Sequence, residues 1–124
     1  MRKRKETLTD LELEIMKIVW DLGEPTVRDV YEKLRERRPV AYTTVMTMLN
    51  ILEQKGQLAK TQVDRAYKYR PTQSQGQVER GMVRDFVNRV FDGAAEPLLL
   101  HLVDDKKLSQ ADVDEIARIL RRAK

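Results

Sequence analysis

The 124-residue sequence predicts a mainly helical α+β protein: an N-terminal domain of three helices and a β-hairpin, then a domain of three more helices. Two observations predict this class. Apolar residues recur at helical spacing in most of the chain, and a stretch near residues 57–71 alternates as strands do. Because the stretch PTQSQGQ (71–77) is polar and rich in helix breakers, we expect domains at residues 1–73 and 74–124.

Capping patterns predict the first two helices. Thr9 with Glu12 begins the first helix, whose apolar face continues until Gly23 stops it. Thr26 with Asp29 begins the second helix, which we expect to end before the next proline.

The third helix, about 43–55, is unusual because its outer face is rich in threonine. Its apolar stripe predicts burial of Val45, Met48, Leu49 and Leu52. The rest of the helix carries small polar residues at Thr43, Thr44, Thr47 and Asn50. Threonine is a poor helix former, so a purely structural helix would be better served by Ala, Glu or Lys there.

The runs QLAKTQV and AYKYRP, joined around Asp64 and Arg65, predict a two-stranded hairpin at about 58–70. We expect Tyr67 and Tyr69 to share one face of it. The hairpin also carries four basic residues: Lys60, Arg65, Lys68 and Arg70. Three helices followed by such a hairpin is the element order of a winged helix-turn-helix.

In helix-turn-helix proteins the second helix of the motif enters the major groove of DNA. Threonine can donate hydrogen bonds to bases and pack its methyl group against thymine, while basic residues contact phosphates. We therefore predict base contacts from the threonine face and from Asn50, and backbone contacts from the basic hairpin. The ordinary alternatives are a solvated helix face and a hairpin edge protected from pairing. A winged helix that binds an acidic protein partner is the competing function.

The C-terminal domain carries more apolar surface than about 50 residues can bury alone. A second copy of the chain is the simplest partner. We predict a homodimer with these contact residues: Val83, Phe86, Val90, Phe91, Leu98, Leu99, Leu102, Val113, Ile116 and Leu120.

The net charge of +4 resides entirely in the N-terminal domain. Residues 33–73, which contain the third helix and the hairpin, contribute an excess of basic residues. The basic start, RKRK (2–5), is either an arm that touches DNA or a solubilising tail. This distribution favours a nucleic-acid partner.

Several classes of function are not expected. The chain has no Cys and one His, which excludes disulfides and thiolate metal sites, and no catalytic motif is present. We predict no enzyme activity, no metal and no cofactor. No apolar run is long enough for a membrane span, so we expect a cytoplasmic protein without a membrane partner.

Several segments resemble the penicillinase-repressor (BlaI/MecI/CopY) family: LTDLELEIMKIVWDLGEPTVRDVYEKL, AYTTVMTMLNILEQKGQL, DRAYKYRP and LSQADVDEIARIL. The resemblance covers nearly the whole chain. It implies a homodimeric bacterial transcription repressor with interlocking C-terminal helices. The two winged helices would bind an inverted-repeat operator, often with TACA and TGTA half-site cores, upstream of genes for β-lactam resistance or copper handling. Thr44 and Thr47 match the family's recognition-helix positions.

Two departures from the family concern the relief of repression. Members induced by β-lactams resemble one another in an Asn-Phe bond that is cut after a membrane sensor-protease is activated. This chain has His101 and Leu102 there, so the resemblance does not imply cleavage by a regulatory protease. Copper-responsive members carry a Cys-rich C-terminal motif, which is absent here.

Overall fold

A computed structural model describes residues 7–123. It contains six helices and one two-stranded sheet: α1 Asp10–Leu22, α2 Val27–Leu34, α3 Tyr42–Gln54, β1 Leu58–Val63, β2 Ala66–Pro71, α4 Gln75–Phe91, α5 Glu96–Asp104 and α6 Gln110–Arg122. This order confirms the mainly helical class with a small β part. The basic start, residues 2–5, lies outside the described residues.

The capping patterns act as the sequence predicts. The Thr9 hydroxyl accepts a hydrogen bond from the Glu12 amide at 3.1 Å, and the Glu12 carboxylate accepts one from the Thr9 amide at 2.9 Å. Thr26 and Asp29 repeat this exchange at the start of α2. Each reciprocal pair of this kind, called a capping box, provides hydrogen-bond acceptors for backbone amides that have no partner within the first helical turn. Both helix starts are therefore fixed by local sequence.

One apolar core joins α1, α2, α3 and the hairpin. Its buried members are Ile15, Met16, Ile18, Val19, Val30, Leu34, Val45, Leu49, Leu52, Leu58 and Tyr69. Met48, which we expected to be buried, is only partly covered and packs against this core. Because the apolar stripe of α3 is held in the core, the opposite side of the helix faces outward.

The hairpin is attached to the rest of the fold through β2 and through Leu58 of β1, which is buried in the core. Lys60 pairs with Tyr69 across the antiparallel ladder, and the tip residue Asp64 adopts a positive φ of 57°. A single bridge joins Lys68 to Thr26, and the Tyr69 amide donates to the Pro25 carbonyl oxygen at 2.9 Å. The sequence does not predict this isolated bridge, because one bridging residue leaves no alternating pattern.

The polar stretch 71–77 is not a free linker. β2 ends at Pro71, and Ser74 and Gln77 exchange backbone-to-side-chain hydrogen bonds of 2.9 and 3.2 Å that start α4. The described chain forms two compact units, of which the first ends at Glu79 and the second begins at Arg80, inside α4. The breaker-rich residues 74–77 therefore act as the start of α4.

The second unit contains the rest of α4 together with α5 and α6. Ser109 and Asp112 form the expected capping box of α6, with hydrogen bonds of 3.0 and 3.1 Å. Among the residues described from 80 to 123, none is buried. Large apolar side chains are exposed there on all three helices: Val83, Phe86, Val90, Leu99, Leu100, Val103, Val113, Ile119 and Leu120. As a single chain, this unit has no core of its own.

Candidate nucleic-acid interface

The outward side of α3 presents the three threonines to solvent. Thr43, Thr44 and Thr47 are all exposed, whereas Val45 and Leu49 on the other side are fully buried. The threonines lie in the first half of the helix, which is the part that meets base edges in helix-turn-helix proteins. Their hydroxyl and methyl groups are therefore free to contact a macromolecule.

Asn50 differs from the threonines because its side chain joins α3 to the hairpin. It is half-buried, and its Oδ1 accepts a hydrogen bond from the Tyr69 hydroxyl at 3.1 Å. Burial raises the pKa of Tyr69, and the charge of Glu53 raises it further, so the phenol stays protonated and donates this bond. Asn50 thus helps to set the distance between α3 and β2.

A groove of about 390 Å³ lies between α3 and the hairpin, and the first turn of α2 closes one side of it. Its lining comprises Thr26, Val27, Arg28, Tyr42, Met46, Asn50, Lys60, Arg65, Ala66, Tyr67 and Tyr69. Three of these described residues are cationic and none is acidic. The groove is therefore suited to a polyanion rather than to a cation or an apolar ligand.

The hairpin divides the four basic residues singled out from the sequence between two locations. Lys60 and Arg65 line the groove, and the Lys60 ammonium lies 4.7 Å from the centre of the Tyr67 ring. Lys68 and Arg70 alternate with the tyrosines along β2 and so point to the opposite face of the sheet. The shared face of Tyr67 and Tyr69 agrees with the expectation from the sequence.

Lys68 and Arg70 have neighbours in the N-terminal unit. The backbone of Lys68 forms the bridge to Thr26, and its side chain is only half-exposed. Arg70 Nε lies 3.9 Å from a carboxylate oxygen of Glu24, and both side chains are at least half exposed. A surface ion pair of this kind contributes little to stability and leaves the arginine available to another anion.

Arg28 and Tyr42 are among the groove residues that the sequence did not identify as contact residues. The Arg28 guanidinium carbon lies 5.7 Å from the centre of the Tyr42 ring. Arg28 belongs to a stretch with net negative charge, residues 6–32, so the local sequence does not indicate a basic patch there. Only the packing of α2 against the start of α3 brings it beside Lys60 and Arg65.

An ion pair with a buried carboxylate joins the end of α3 to α1. Lys55 Nζ, just after the helix, contacts the two Glu12 carboxylate oxygens at 2.8 and 3.0 Å. Burial acts to raise the pKa of Glu12. The hydrogen bonds from Lys55 and Thr9 and the charge of Lys55 together outweigh burial, so the pKa lies below its ordinary value. Glu12 is thereby kept ionised and ties the end of α3 to the start of α1.

Other kinds of site are not seen in residues 7–123. They contain no group of three or more His, Cys, Asp or Glu side chains that could hold a metal ion. No helix in that range is both long and apolar enough to cross a membrane.

Three helices with a hairpin packed beside the third define a winged helix-turn-helix protein. The chain belongs to the penicillinase repressor family, whose model matches residues 8–122. This is a family of transcriptional repressors and not of enzymes.

Individual relatives agree with this assignment. The chain is 37% identical over 107 residues to the transcriptional regulator BlaI of Mycobacterium tuberculosis, covering 85% of this chain and 78% of the relative. It is 26% identical to the penicillinase repressor of Bacillus licheniformis, covering 98% and 95% of the two chains.

Solved structures give the same result for the N-terminal part. One is the DNA-binding domain of the repressor BlaI, with a TM-score of 0.53 and 28% identity, over 60% of this chain and 90% of that one. Another is monomeric Bacillus licheniformis BlaI in complex with the blaP half-operator, with a TM-score of 0.52 and 28% identity, over 60% and 92%.

Proposed function

We propose that this protein is a homodimeric transcriptional repressor that binds an inverted-repeat operator in a promoter. The observation that carries the proposal is the exposed threonine face of α3 beside a groove lined by cations. Membership of a repressor family supports it, as does the similarity to a BlaI chain solved in complex with a half-operator. Repression would follow from occupation of the promoter, which excludes RNA polymerase.

The proposed contacts fall into two groups. Thr43, Thr44 and Thr47 would contact base edges in the major groove. Asn50, whose side chain accepts a hydrogen bond from Tyr69, would also contact a base. Lys60, Arg65, Lys68 and Arg70 would lie near phosphates, with Arg65 at the tip contacting the backbone or the adjacent minor groove. Phosphate contacts supply affinity and register, and the base contacts supply sequence preference.

The proposed dimer would form through the second unit. The exposed apolar residues of this unit need a partner surface, because none of the residues described from 80 to 123 is buried. A second copy related by a two-fold axis offers the same apolar faces in return. Two-fold symmetry in the protein then calls for two-fold symmetry in the DNA, which is why we propose an inverted repeat.

We further propose that repression is not relieved by cleavage between His101 and Leu102. Both residues lie inside α5, where the carbonyl oxygen of His101 accepts a hydrogen bond from the Asp105 amide at 2.9 Å. A protease cleaves an extended segment, so this helix would have to unfold first. A cut at this bond during incubation with an activated sensor-protease would contradict the proposal.

The operator hypothesis is tested by fluorescence anisotropy with the full-length chain. One labelled duplex carries an inverted TACA/TGTA repeat, and a second has the same composition in scrambled order. We expect a preference of about 10³ or more for the repeat. If both duplexes bind equally, the comparison is repeated with duplexes that the protein selects from a random pool. If no selected duplex binds better than the scrambled one, sequence-specific repression is contradicted and a protein-interaction module is favoured.

A further inference from the structure

Two cations in the groove beside α3 are each held against a tyrosine ring. The Arg28 guanidinium lies 5.7 Å from the centre of the Tyr42 ring, and the Lys60 ammonium lies 4.7 Å from the centre of the Tyr67 ring. All four residues line the same groove. One pair joins α2 to the start of α3, and the other joins the two strands of the hairpin. The groove therefore has a cation stacked on an aromatic ring on each of two sides.

We propose that this groove cradles one strand of the DNA backbone and that Arg28 is a phosphate contact within it. The inference rests on the proposed function, because it takes α3 to lie in a major groove. A duplex in that position must carry a phosphate strand across the space between α3 and the hairpin. A groove with three cations and no acid among its described lining residues matches the charge of that strand.

Stacking on tyrosine prepares Arg28 for this contact. The ring covers one face of the guanidinium group, while its N–H donors lie in the plane and stay available at the edge. A side chain that is already restricted loses less conformational freedom when it binds. Restriction by Tyr42 therefore favours phosphate binding without occupying the donors that a phosphate needs.

The ion pair between Arg28 and Glu32 does not prevent the contact. Its N–O distance is 3.2 Å, and the two side chains are 69% and 47% exposed. Exposed pairs of this kind are weak and exchange readily with another anion. The side chain of Arg28 can therefore turn from Glu32 to a phosphate without leaving a buried charge unpaired.

Arg35, the residue that caps the C-terminal end of α2, provides a matched control. It also pairs with Glu32, at 3.3 Å, and its guanidinium lies 5.4 Å from the centre of the Tyr31 ring. Its side chain is 54% exposed. Arg35 does not belong to the lining of the groove. Arg35→Gln therefore makes the same change in charge and in local contacts as Arg28→Gln, but away from the proposed phosphate path.

The test measures DNA binding by the full-length chain and its two variants at several salt concentrations. One duplex is selected by the wild-type protein from a random pool, and the other is scrambled. We expect Arg28→Gln to weaken binding of both duplexes by a similar factor. Its slope of log affinity against log salt should be shallower by roughly 0.9 for each bound half-site. Arg35→Gln should leave the slope close to that of wild type.

The outcomes separate this inference from the proposed function. An unchanged slope in Arg28→Gln, or an equal change in Arg35→Gln, overturns the phosphate cradle while sequence-specific binding still stands. A selection that yields no preferred duplex overturns the operator hypothesis, and the effect of Arg28 is still measured on the scrambled DNA.

Tyr42 variants test whether stacking matters. Tyr42→Phe keeps the ring and should bind DNA as wild type does. Tyr42→Leu removes the aromatic ring but keeps the charge of Arg28. It should lower the affinity for DNA roughly 2- to 5-fold at an unchanged salt slope. Equal losses in the two variants would show that the hydroxyl group, rather than the ring, makes the contribution.

Discussion

At the scale of residues, the proposed interface separates side chains that read sequence from side chains that hold the backbone. Thr47 is exposed on α3, whereas Arg65 lies at the tip of the hairpin and lines the groove. We predict that Thr47→Ala changes which base is preferred at one operator position, at a cost of about 1 kcal/mol of discrimination. Arg65→Ala should instead lower affinity for all sequences and reduce the salt slope by about 1 per half-site.

Binding selections with each variant, followed by salt titrations, measure both effects. Alanine is a better helix former than threonine, so loss of binding in Thr47→Ala would not come from unfolding of α3. Gln54→Ala, at the exposed far end of the same helix, is the control for a change outside the proposed contact region. If both variants lose affinity equally on every sequence, the proposed separation of roles is wrong.

The sequence predicts exposed positions better than it predicts neighbours in space. The exposure of Thr43, Thr44 and Thr47 follows from helical period, because Val45 and Leu49 must face the core. The pairing of Arg28 with Tyr42 depends on how α2 packs against α3, which no local pattern encodes. The hydrogen bond between Asn50 and Tyr69 has the same origin, since it joins residues that are distant along the chain.

At the scale of elements, α3 is held by contacts with α1 as well as with the hairpin. The Glu12 side chain is only 4% exposed and that of its partner Lys55 20%. Replacing the Glu12 carboxylate with a neutral amide removes the charge-assisted hydrogen bonds that this buried side chain accepts from Lys55 Nζ and from the Thr9 amide. We predict that Glu12→Gln lowers the free energy of unfolding by about 2 kcal/mol, within the range of hydrogen bonds to charged groups.

The pH dependence of this effect has a definite sign. Because the pKa of Glu12 is lowered in the folded state, its stabilisation is complete above the ordinary carboxyl pKa. That stabilisation is lost as the pH falls through the lowered value. The difference in stability between wild type and Glu12→Gln should therefore be largest near neutral pH and shrink below about pH 4.

Urea unfolding followed by circular dichroism at several pH values measures this difference. Glu14→Gln is the matched control on α1, since Glu14 pairs with Arg38 at 2.9 Å at the surface. It should cost less than about 1 kcal/mol. If the two substitutions lower the free energy of unfolding equally, the buried Glu12–Lys55 pair contributes no more than a surface ion pair.

The helices are largely predictable from the sequence because the residues that cap them lie close together in the chain. Capping boxes at Thr9, Thr26 and Ser109 fix three helix starts within four residues each. Two features depend on context. Ser74 and Gln77 cap a helix within a polar stretch that indicated a domain boundary. The bridge at Thr26 forms only because β2 brings Lys68 beside it. In both cases the same residue types are compatible with more than one local structure.

At the scale of the whole molecule, the proposed dimer explains a unit that has apolar side chains but no core. The N-terminal unit has a buried apolar core, whereas none of the residues described from 80 to 123 is buried in the single chain. The sequence predicted this surplus from composition. The sequence does not identify which side chains would meet across a two-fold axis. A helix that packs against a partner chain has the same amphipathic pattern as one that packs within its own chain.

A matched pair of substitutions tests the dimer. Phe86 on α4 is 40% exposed and Leu22 at the end of α1 is 38% exposed, so Glu should be accommodated in the isolated chain at either position. We predict that Phe86→Glu shifts the protein from dimer to monomer in sedimentation velocity, because a carboxylate buried in an apolar interface has no partner. Leu22→Glu should remain dimeric.

The same pair links assembly to DNA binding. A dimer binds two half-sites with one loss of rotational and translational freedom, so breaking it should lower affinity for an inverted repeat far more than affinity for a single half-site. Phe86→Glu should therefore lose about 10² or more on the full repeat and little on the half-site. If Phe86→Glu stays dimeric, or if Leu22→Glu dissociates to the same extent, the proposed interface on α4 is wrong and the exposed face serves another partner.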